Sequence, residues 1–201
     1  LTGSDAGSLY LVEGEGDDRR LHFLRARNES LPDLPQPDFT LPLDQTSVAG
    51  YAATTGEILV LDDAYRIPES APYTFNRGFD EEHGYRACSM LVAPMMDHRD
   101  RVVGVLQLIN RKREGAGPIR GEKDVQAHVL PYTDAEVNTV QSLAGQAAVS
   151  IENGQLYQDI ERLFEGFIKA AVTANDQRDP STAGHSVRVT TLTCDLAELI
   201  N

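Results

Sequence analysis

An apolar pattern that continues without proline over residues 134–174 constrains the fold of this chain more than any other feature. Its first part has spacings of three and four, which are typical of a helix with one apolar face, at Val137, Val140, Ala144, Ala147 and Ile151. Thr133, followed three residues later by Glu136, is typical of a helix N-terminus. At 1.5 Å per residue the helix would extend about 60 Å, which is longer than a domain of this size can cover with its own core.

The apolar series changes phase near Asn153-Gly154 and then continues at Leu156, Ile160, Leu163, Phe167, Ala170 and Ala174. A narrow stripe of this spacing favours a parallel coiled coil with a second copy of the chain. The change of phase then indicates a stutter in the seam. The alternative is an amphipathic helix that folds back onto the sheet of its own subunit.

Shorter apolar runs upstream predict β-strands over residues 8–12, 21–27, 58–61, 88–95 and 102–109. In the run 102–109 both alternating sets of residues are apolar, so we expect a central strand that is covered on both faces. Residues 47–55 predict a short helix that Gly56 ends. The polar, glycine-containing stretch 111–129 predicts a mobile surface loop.

Charge and cysteine content exclude several classes of protein. The 201 residues include 18 Lys and Arg against 31 Asp and Glu, a formal net charge of −13, which disfavours a nucleic-acid or anionic-membrane surface. Cys88 and Cys194 form no CxxC pair, and the apolar runs are too short to span a membrane. We therefore expect a cytoplasmic protein, no nucleic-acid partner and no membrane contact from this segment.

Several ordered motifs over residues 5–160 resemble a GAF domain of the cyclic-nucleotide-phosphodiesterase and bacterial-sensor type. They are Asp63-Ala64-Tyr65, Phe75-Asn76, Asp80, Gly84-Tyr85-Arg86, Leu108-Ile109-Asn110-Arg111, Tyr132-Thr133-Asp134 and the run from Gln146 to Tyr157. The resemblance implies an α+β fold: a central antiparallel sheet with helices on one face, ligand-pocket loops on the other, and a long C-terminal linker helix. Nucleotide-binding members carry a five-residue signature, an Asn-Lys pair, a Phe and an Asp-Glu pair.

This chain departs from that signature, whose places fall on Asn110, Arg111, Tyr132, Glu136 and Val137. Because the last two places do not carry Asp-Glu, the sequence does not predict that the salt bridge of the signature forms. Cyclic-nucleotide binding is not predicted by the signature either. A small-molecule ligand, with a cyclic nucleotide as one class, is what the resemblance implies.

The pocket implied by the resemblance would be surrounded by residues of the long irregular segment 62–84, which is rich in aromatic residues. The candidate ligand-binding residues are Asp63, Tyr65, Tyr73, Phe75, Arg77, Phe79 and Asp80. Aromatic faces can stack a planar ring while a few polar groups orient it. The alternative is that Phe75 and Phe79, four residues apart, fill the pocket as part of the core.

A second resemblance begins near the end of the chain, where residues 178–189 are similar to the entry of an HD-GYP domain, a metal-dependent phosphohydrolase that cleaves cyclic di-GMP in many bacteria. The string is Arg178-Asp179-Pro180-Ser181-Thr182-Ala183-Gly184-His185-Ser186-Val187-Arg188-Val189. The resemblance implies that His185 binds a divalent metal, iron or manganese, once the remaining ligands of such a domain are present. Within this sequence we expect no catalytic residue and no cofactor.

Together these features predict three regions: a GAF sensory domain over residues 1–152 that lacks its first helix, a signalling linker helix over 153–175, and the N-terminal fragment of an HD-GYP domain over 176–201. The predicted function is that of a bacterial signal-transduction sensor and homodimerisation module that controls a cyclic di-GMP phosphodiesterase. The alternatives are a purely structural dimerisation module with a filled pocket, or part of a catalytically inactive HD-GYP protein.

Overall fold

The computed structural model describes residues 2–14, 16–35, 38–178, 188, 189, 191–193 and 196. They belong to two compact units, Leu1–Glu152 and Asn153–Asn201. In this described part of the chain no helix is long and apolar enough to cross a membrane.

The first unit is built on one antiparallel sheet. Its strands are β1 (Ser4–Glu13), β2 (Arg20–Asn28), β3 (Thr40–Pro42), β4 (Leu59–Leu61), β5 (Met90–Met96), β6 (Val102–Lys112) and β7 (Val129–Leu130). The order across the sheet is β3-β2-β1-β6-β5-β4, with β7 paired to the end of β6. Strand β6 pairs with both β1 and β5, which confirms the predicted central strand.

Among the helices in the described part of the chain are α1 (Val48–Thr55), α2 (Gly78–His83), α3 (Glu122–His128) and α4 (Asp134–Arg178). Helix α1 begins where the Ser47 hydroxyl accepts a hydrogen bond from the Gly50 amide and ends at Gly56, whose φ of +72° favours glycine. Helix α4 begins with the predicted capping contacts, since the Thr133 amide and hydroxyl both donate to Glu136 Oε2.

Successive side chains of β5 point to opposite faces of the sheet and so belong to two apolar layers. Leu91, Ala93 and Met95 on β5 pack with residues of α4, whereas Met90 and Val92 pack on the other face with residues of α1. The predicted α+β architecture with a GAF-like sheet and a long C-terminal helix is therefore confirmed. Because α4 covers one face, the opposite face is the one that loops and α1 enclose.

The prediction of a mobile surface loop over residues 111–129 is wrong. This stretch contains α3 and the first residue of β7, and Ile119 within it is fully buried in a cluster with Tyr85 and Val125. The Ile119 amide also donates a 2.6 Å hydrogen bond to Ser30 Oγ. A few isolated apolar residues among glycines and charges carry no periodicity, so the pattern could not predict their burial.

In the second unit, α4 continues without interruption to Arg178, and its apolar side chains are exposed. Leu163 is 74% exposed, and Leu156, Ile160 and Phe167 of the predicted stripe are exposed as well. The exposed apolar side chains beside them are Tyr157, Phe164 and Ile168. Ion pairs at helical spacing, such as Lys169 with Glu165, lie on the same stretch of helix. His185 lies outside the described residues.

Candidate ligand-binding cavity

A cavity of about 650 Å³ lies on the face of the sheet opposite α4. Strands β1, β2 and β6 contribute residues to it, as do the first turn of α1 and the segments 28–35 and 74–80. Cavities of roughly 300–1,000 Å³ hold small organic ligands in proteins. Its volume therefore suits a small molecule.

Aromatic side chains form much of the wall. Phe23 and Phe39 stack with their ring centroids 4.8 Å apart, and Tyr10 meets Phe23 edge-on at 5.5 Å. Phe75 and Phe79 line the cavity from the opposite loop, where Phe79 is 45% exposed and stacks on His83. Both of these rings line the cavity, and about 650 Å³ remains unfilled beside them.

Two buried polar side chains reach the cavity with hydrogen-bonding capacity to spare. Asp80 is only 3% exposed, and its Oδ2 accepts from the Tyr65 hydroxyl at 2.9 Å and the Ala87 amide at 2.7 Å. Gln107 is 7% exposed and its Nε2 contacts Met90 Sδ at 3.1 Å. Within the described residues neither Asp80 Oδ1 nor Gln107 Oε1 has a hydrogen-bond partner. Buried polar atoms usually have one, so these atoms are suited to hold a ligand.

Burial is the largest influence on the Asp80 carboxyl and raises its pKa, although hydrogen bonds from Ala87 and Tyr65 and the charge of Arg86 oppose the shift. Burial together with the hydrogen bond to Asp80 raises the pKa of Tyr65 to about 12. Tyr65 therefore stays protonated and donates to Asp80 throughout the physiological range.

Of the seven candidate residues, Phe75, Phe79 and Asp80 line the cavity, while Asp63, Tyr65, Tyr73 and Arg77 do not. The Tyr65 ring lies between two guanidinium groups, those of Arg77 at 4.1 Å and Arg86 at 3.6 Å. Arg86 in turn pairs with Asp63 at 2.7 Å, and Tyr73 packs against Tyr51. The four candidate residues that do not line the cavity therefore stabilise the loop that carries Asp80.

A further polar cluster, which was not predicted, reaches the cavity through Tyr85. The buried Asp5 carboxylate accepts hydrogen bonds from the Tyr85 hydroxyl and Ser30 hydroxyl at 2.8 Å each, and lies 2.8 Å from Lys112 Nζ. Tyr85 lines the cavity, and burial, followed by the charge of Asp5, raises its pKa. Gln107 was not predicted as a site residue either, although the sequence offers one signal for it. Gln107 is a polar residue that interrupts the apolar face of β6 on the cavity side.

The salt bridge that the sequence did not predict is formed. Arg111 Nε is in close contact with Glu136 Oε1, and Arg111 Nη1 also donates to the Pro131 carbonyl. Burial raises the pKa of Glu136, but hydrogen bonds from Thr133 and Arg111 outweigh it and the net shift is downward. Asn110, the first residue of the signature, accepts from the Cys88 amide and donates to the Arg86 carbonyl.

Metal and thiol chemistry find little support in the described residues. Within them, no group of three His, Cys, Asp or Glu side chains could hold a metal ion. Cys88 Sγ contacts the Asp62 carbonyl, and burial raises the pKa of its thiol, which disfavours a reactive thiolate.

Comparison with known proteins is consistent with this geometry. The sequence of residues 1–151 matches the GAF domain family. The chain is 25% identical to a dual 3',5'-cyclic-AMP and -GMP phosphodiesterase 11A of Takifugu rubripes over 169 residues, which are 82% of this chain and 18% of that protein. It is 28% identical to a dual 3',5'-cyclic-AMP and -GMP phosphodiesterase 11 of Drosophila melanogaster over 172 residues, 82% of this chain and 11% of that protein.

The chain thus spans less than a fifth of the length of either relative. Among solved structures, residues 122 to 287 of a methyl-accepting chemotaxis protein superimpose with a TM-score of 0.56 and 19% identity, covering 78% of this chain and 83% of that one. This likeness concerns the fold alone.

Proposed function

Because the chain belongs to the GAF domain family, a family of regulatory small-ligand-binding modules, we propose that its cavity binds a small planar ligand and that a cyclic nucleotide is the class to test first. The two phosphodiesterase relatives are named for cyclic AMP and cyclic GMP. Their names support the choice of class.

Two residues carry the proposal: Asp80 and Gln107 are both buried and both line the cavity with its aromatic walls. Among the described residues, Asp80 Oδ1 and Gln107 Oε1 have no hydrogen-bond partner. A purine ring can stack between phenyl rings while its N–H groups donate to these oxygens. A site built in this way would discriminate against ligands that lack those donors, because the buried oxygens would then remain unpaired.

A phosphate group would be held at another part of the wall. Ser47, Val48 and Ala49, at the N-terminus of α1, line the cavity, and so does Arg27. The N-terminus of a helix carries a partial positive charge and free amide groups, which favour an anion. This arrangement supports a ligand with one planar, donor-bearing end and one anionic end.

Isothermal titration calorimetry with cyclic GMP and cyclic AMP tests the proposal, with two matched variants. Phe79 lines the cavity and Leu24 does not, although the two are exposed to similar extents, 45% and 48%. We expect Phe79→Ala to weaken binding by about tenfold, the scale of one lost stacking contact, and Leu24→Ala to leave it unchanged. Equal losses in both variants would show that the nucleotide does not bind in this cavity and would overturn the proposal. No heat with either nucleotide would overturn it too and would favour the purely structural dimerisation module.

The exposed apolar stripe of α4 supports homodimerisation through this helix. A row of large apolar side chains as exposed as Leu163 is rare on a monomer and marks an interaction surface. A second copy presents the same stripe in the same register, so a parallel coiled coil would cover both. In this proposal residues 153–175 form the signalling linker helix between a sensory domain at 1–152 and an output domain that begins near residue 176.

The output domain we propose is an HD-GYP cyclic di-GMP phosphodiesterase of a bacterial, cytoplasmic signalling protein, on the strength of the string around His185. Its metal, iron or manganese, would be held by His185 together with residues of that domain, and would supply an activated water for phosphodiester hydrolysis. Ligand binding could change the output only through unequal affinity for two arrangements of the helix pair, with a coupling of about 1–3 kcal/mol. The phase change near Asn153-Gly154 is the candidate element that switches.

The output is tested in the protein that contains the chain together with the sequence that follows it. Turnover of cyclic di-GMP with added Mn²⁺ is expected, and His185→Ala should abolish it. Absence of turnover in the unaltered protein would favour the catalytically inactive alternative. A deletion near residues 153–154 that restores the phase of the apolar stripe should make turnover independent of the ligand. Unchanged regulation would show that the phase change is not the switching element.

A further inference from the structure

Both ring nitrogens of His22 on β2 face carboxylate oxygens. Nδ1 is 2.9 Å from Oε1 of Glu13 on β1, and Nε2 is 2.9 Å from Oδ1 of Asp38, which precedes β3. A carboxylate can only accept a hydrogen bond, and a neutral imidazole carries a single N–H. Both contacts can therefore be hydrogen bonds at once only when the ring is the doubly protonated imidazolium.

The Asp38 contact lies next to one wall of the cavity. Asp38 is followed by Phe39, whose ring stacks on Phe23 and lines the cavity. The Phe39 carbonyl accepts a 3.0 Å hydrogen bond from the Phe23 amide. Strand β3, which continues this wall with Leu41, is three residues long and, among the described strands, pairs with β2 alone. A short strand at the edge of a sheet is sensitive to the loss of a neighbouring contact.

The charged groups around His22 favour its protonated form. Glu13 faces it from β1 and Asp38 from the segment before β3, while β3 itself carries no charged residue. Arg20, on the same strand as His22, is the cross-strand partner of Glu13. The hydrogen bonds to Glu13 and then to Asp38 raise the pKa of His22 above its ordinary value, and burial opposes them.

We propose that His22 acts as a latch: its protonation state decides whether the cavity wall formed by Phe39 is tied to the sheet. As imidazolium the ring ties Asp38 to the sheet, and as neutral imidazole it must release one of its two carboxylates. This proposal rests on the proposed function in one respect: the latch would regulate entry to the same cavity. Because the His22 pKa is raised in the folded chain, the stabilising contact is complete below the ordinary pKa of about 6.5 and is lost as the pH rises through the raised value.

Amide hydrogen exchange without any ligand tests the latch. The Phe23 amide reports on the wall because it donates to the Phe39 carbonyl. From pH 6 to pH 9 we expect its protection factor, corrected for intrinsic exchange, to fall by about threefold or more, the scale of one exposed hydrogen bond. The midpoint should coincide with the titration of the His22 ring followed by NMR.

Three variants test whether the pH dependence comes from His22 and Asp38. His22→Gln should remove the pH dependence of Phe23 protection, Asp38→Asn should lower the His22 midpoint, and the matched control His128→Gln in α3 should keep the unaltered behaviour. The same pH dependence in His22→Gln, or a His22 midpoint unmoved by Asp38→Asn, would overturn the latch. Since no ligand is added, a chain that binds no cyclic nucleotide but shows these changes retains the latch and loses only the proposed function.

Discussion

Arg111 at the end of β6 forms an ion pair with Glu136 in the first turn of α4. The same strand carries Gln107 into the floor of the cavity four residues earlier. The contact therefore joins the strand that would meet a ligand to the helix that would transmit its binding. Contacts of this kind can carry energetic coupling when the elements they join adopt two arrangements.

Glu136 stabilises the start of α4 in two ways, through the pair with Arg111 and through the capping contacts with Thr133. Both partners of the pair are partly buried, so solvent screens it less than a fully exposed pair. We expect Glu136→Ala to lower the free energy of unfolding by about 1–3 kcal/mol. Chemical denaturation measures the loss, and Glu161→Ala on the exposed stretch of α4 should change the value by less than about 0.5 kcal/mol. Equal effects in the two variants would contradict the assignment.

The pH dependence of stability should contain a contribution from Glu136. Its pKa is lowered in the folded chain, so its contribution is present above the ordinary glutamate pKa of about 4.3 and is lost as the pH falls through the folded value. The stability difference between the unaltered protein and Glu136→Gln should therefore shrink between pH 6 and pH 3. Denaturant titrations at each pH measure it, and a constant difference would show that the charge of Glu136 is not what stabilises the helix start.

The buried pair of Asp5 and Lys112 should tolerate joint replacement better than the loss of its cation. Lys112→Met leaves the Asp5 carboxylate buried without a counter-ion and should cost about 3–5 kcal/mol. The double variant Asp5→Asn with Lys112→Met removes the stranded charge and should cost less than Lys112→Met alone. A double variant as unstable as the sum of the two single changes would contradict this account.

Homodimerisation through α4 predicts a strong effect of charge on the exposed stripe. Leu163→Glu places a carboxylate in the proposed seam and should raise the dimer dissociation constant by at least about 100-fold. Gln158→Glu adds the same charge outside the stripe and should leave the constant within about threefold. Sedimentation equilibrium measures both. A monomer at high concentration in the unaltered protein would exclude the seam.

The elements with strong periodicity were predictable from the sequence. The capped start of α4, the central position of β6 and the end of α1 at Gly56 each follow from a local pattern of apolar or capping residues. The segment 111–129 was not predictable, because the burial of Ile119 depends on Tyr85 and Ser30, which are distant in sequence.

The candidate site was predictable in part. The segment 62–84 does contribute Phe75, Phe79 and Asp80 to the cavity, but an irregular loop has no period that fixes which side chains face inward. Tyr65 lies instead between Arg77 and Arg86, a contact that only the folded loop creates. The wall formed by Phe39 depends on a stack with Phe23 sixteen positions earlier in the sequence.

An NMR titration with cyclic GMP and cyclic AMP shows whether a nucleotide binds in the cavity. The side-chain amide of Gln107 lies in the cavity, whereas the amide of Val60 on the edge strand β4 does not. We expect a saturable shift of the Gln107 signal with one of the two nucleotides and none at Val60. Shifts absent at Gln107 with both nucleotides, or equal at the two positions, would contradict it.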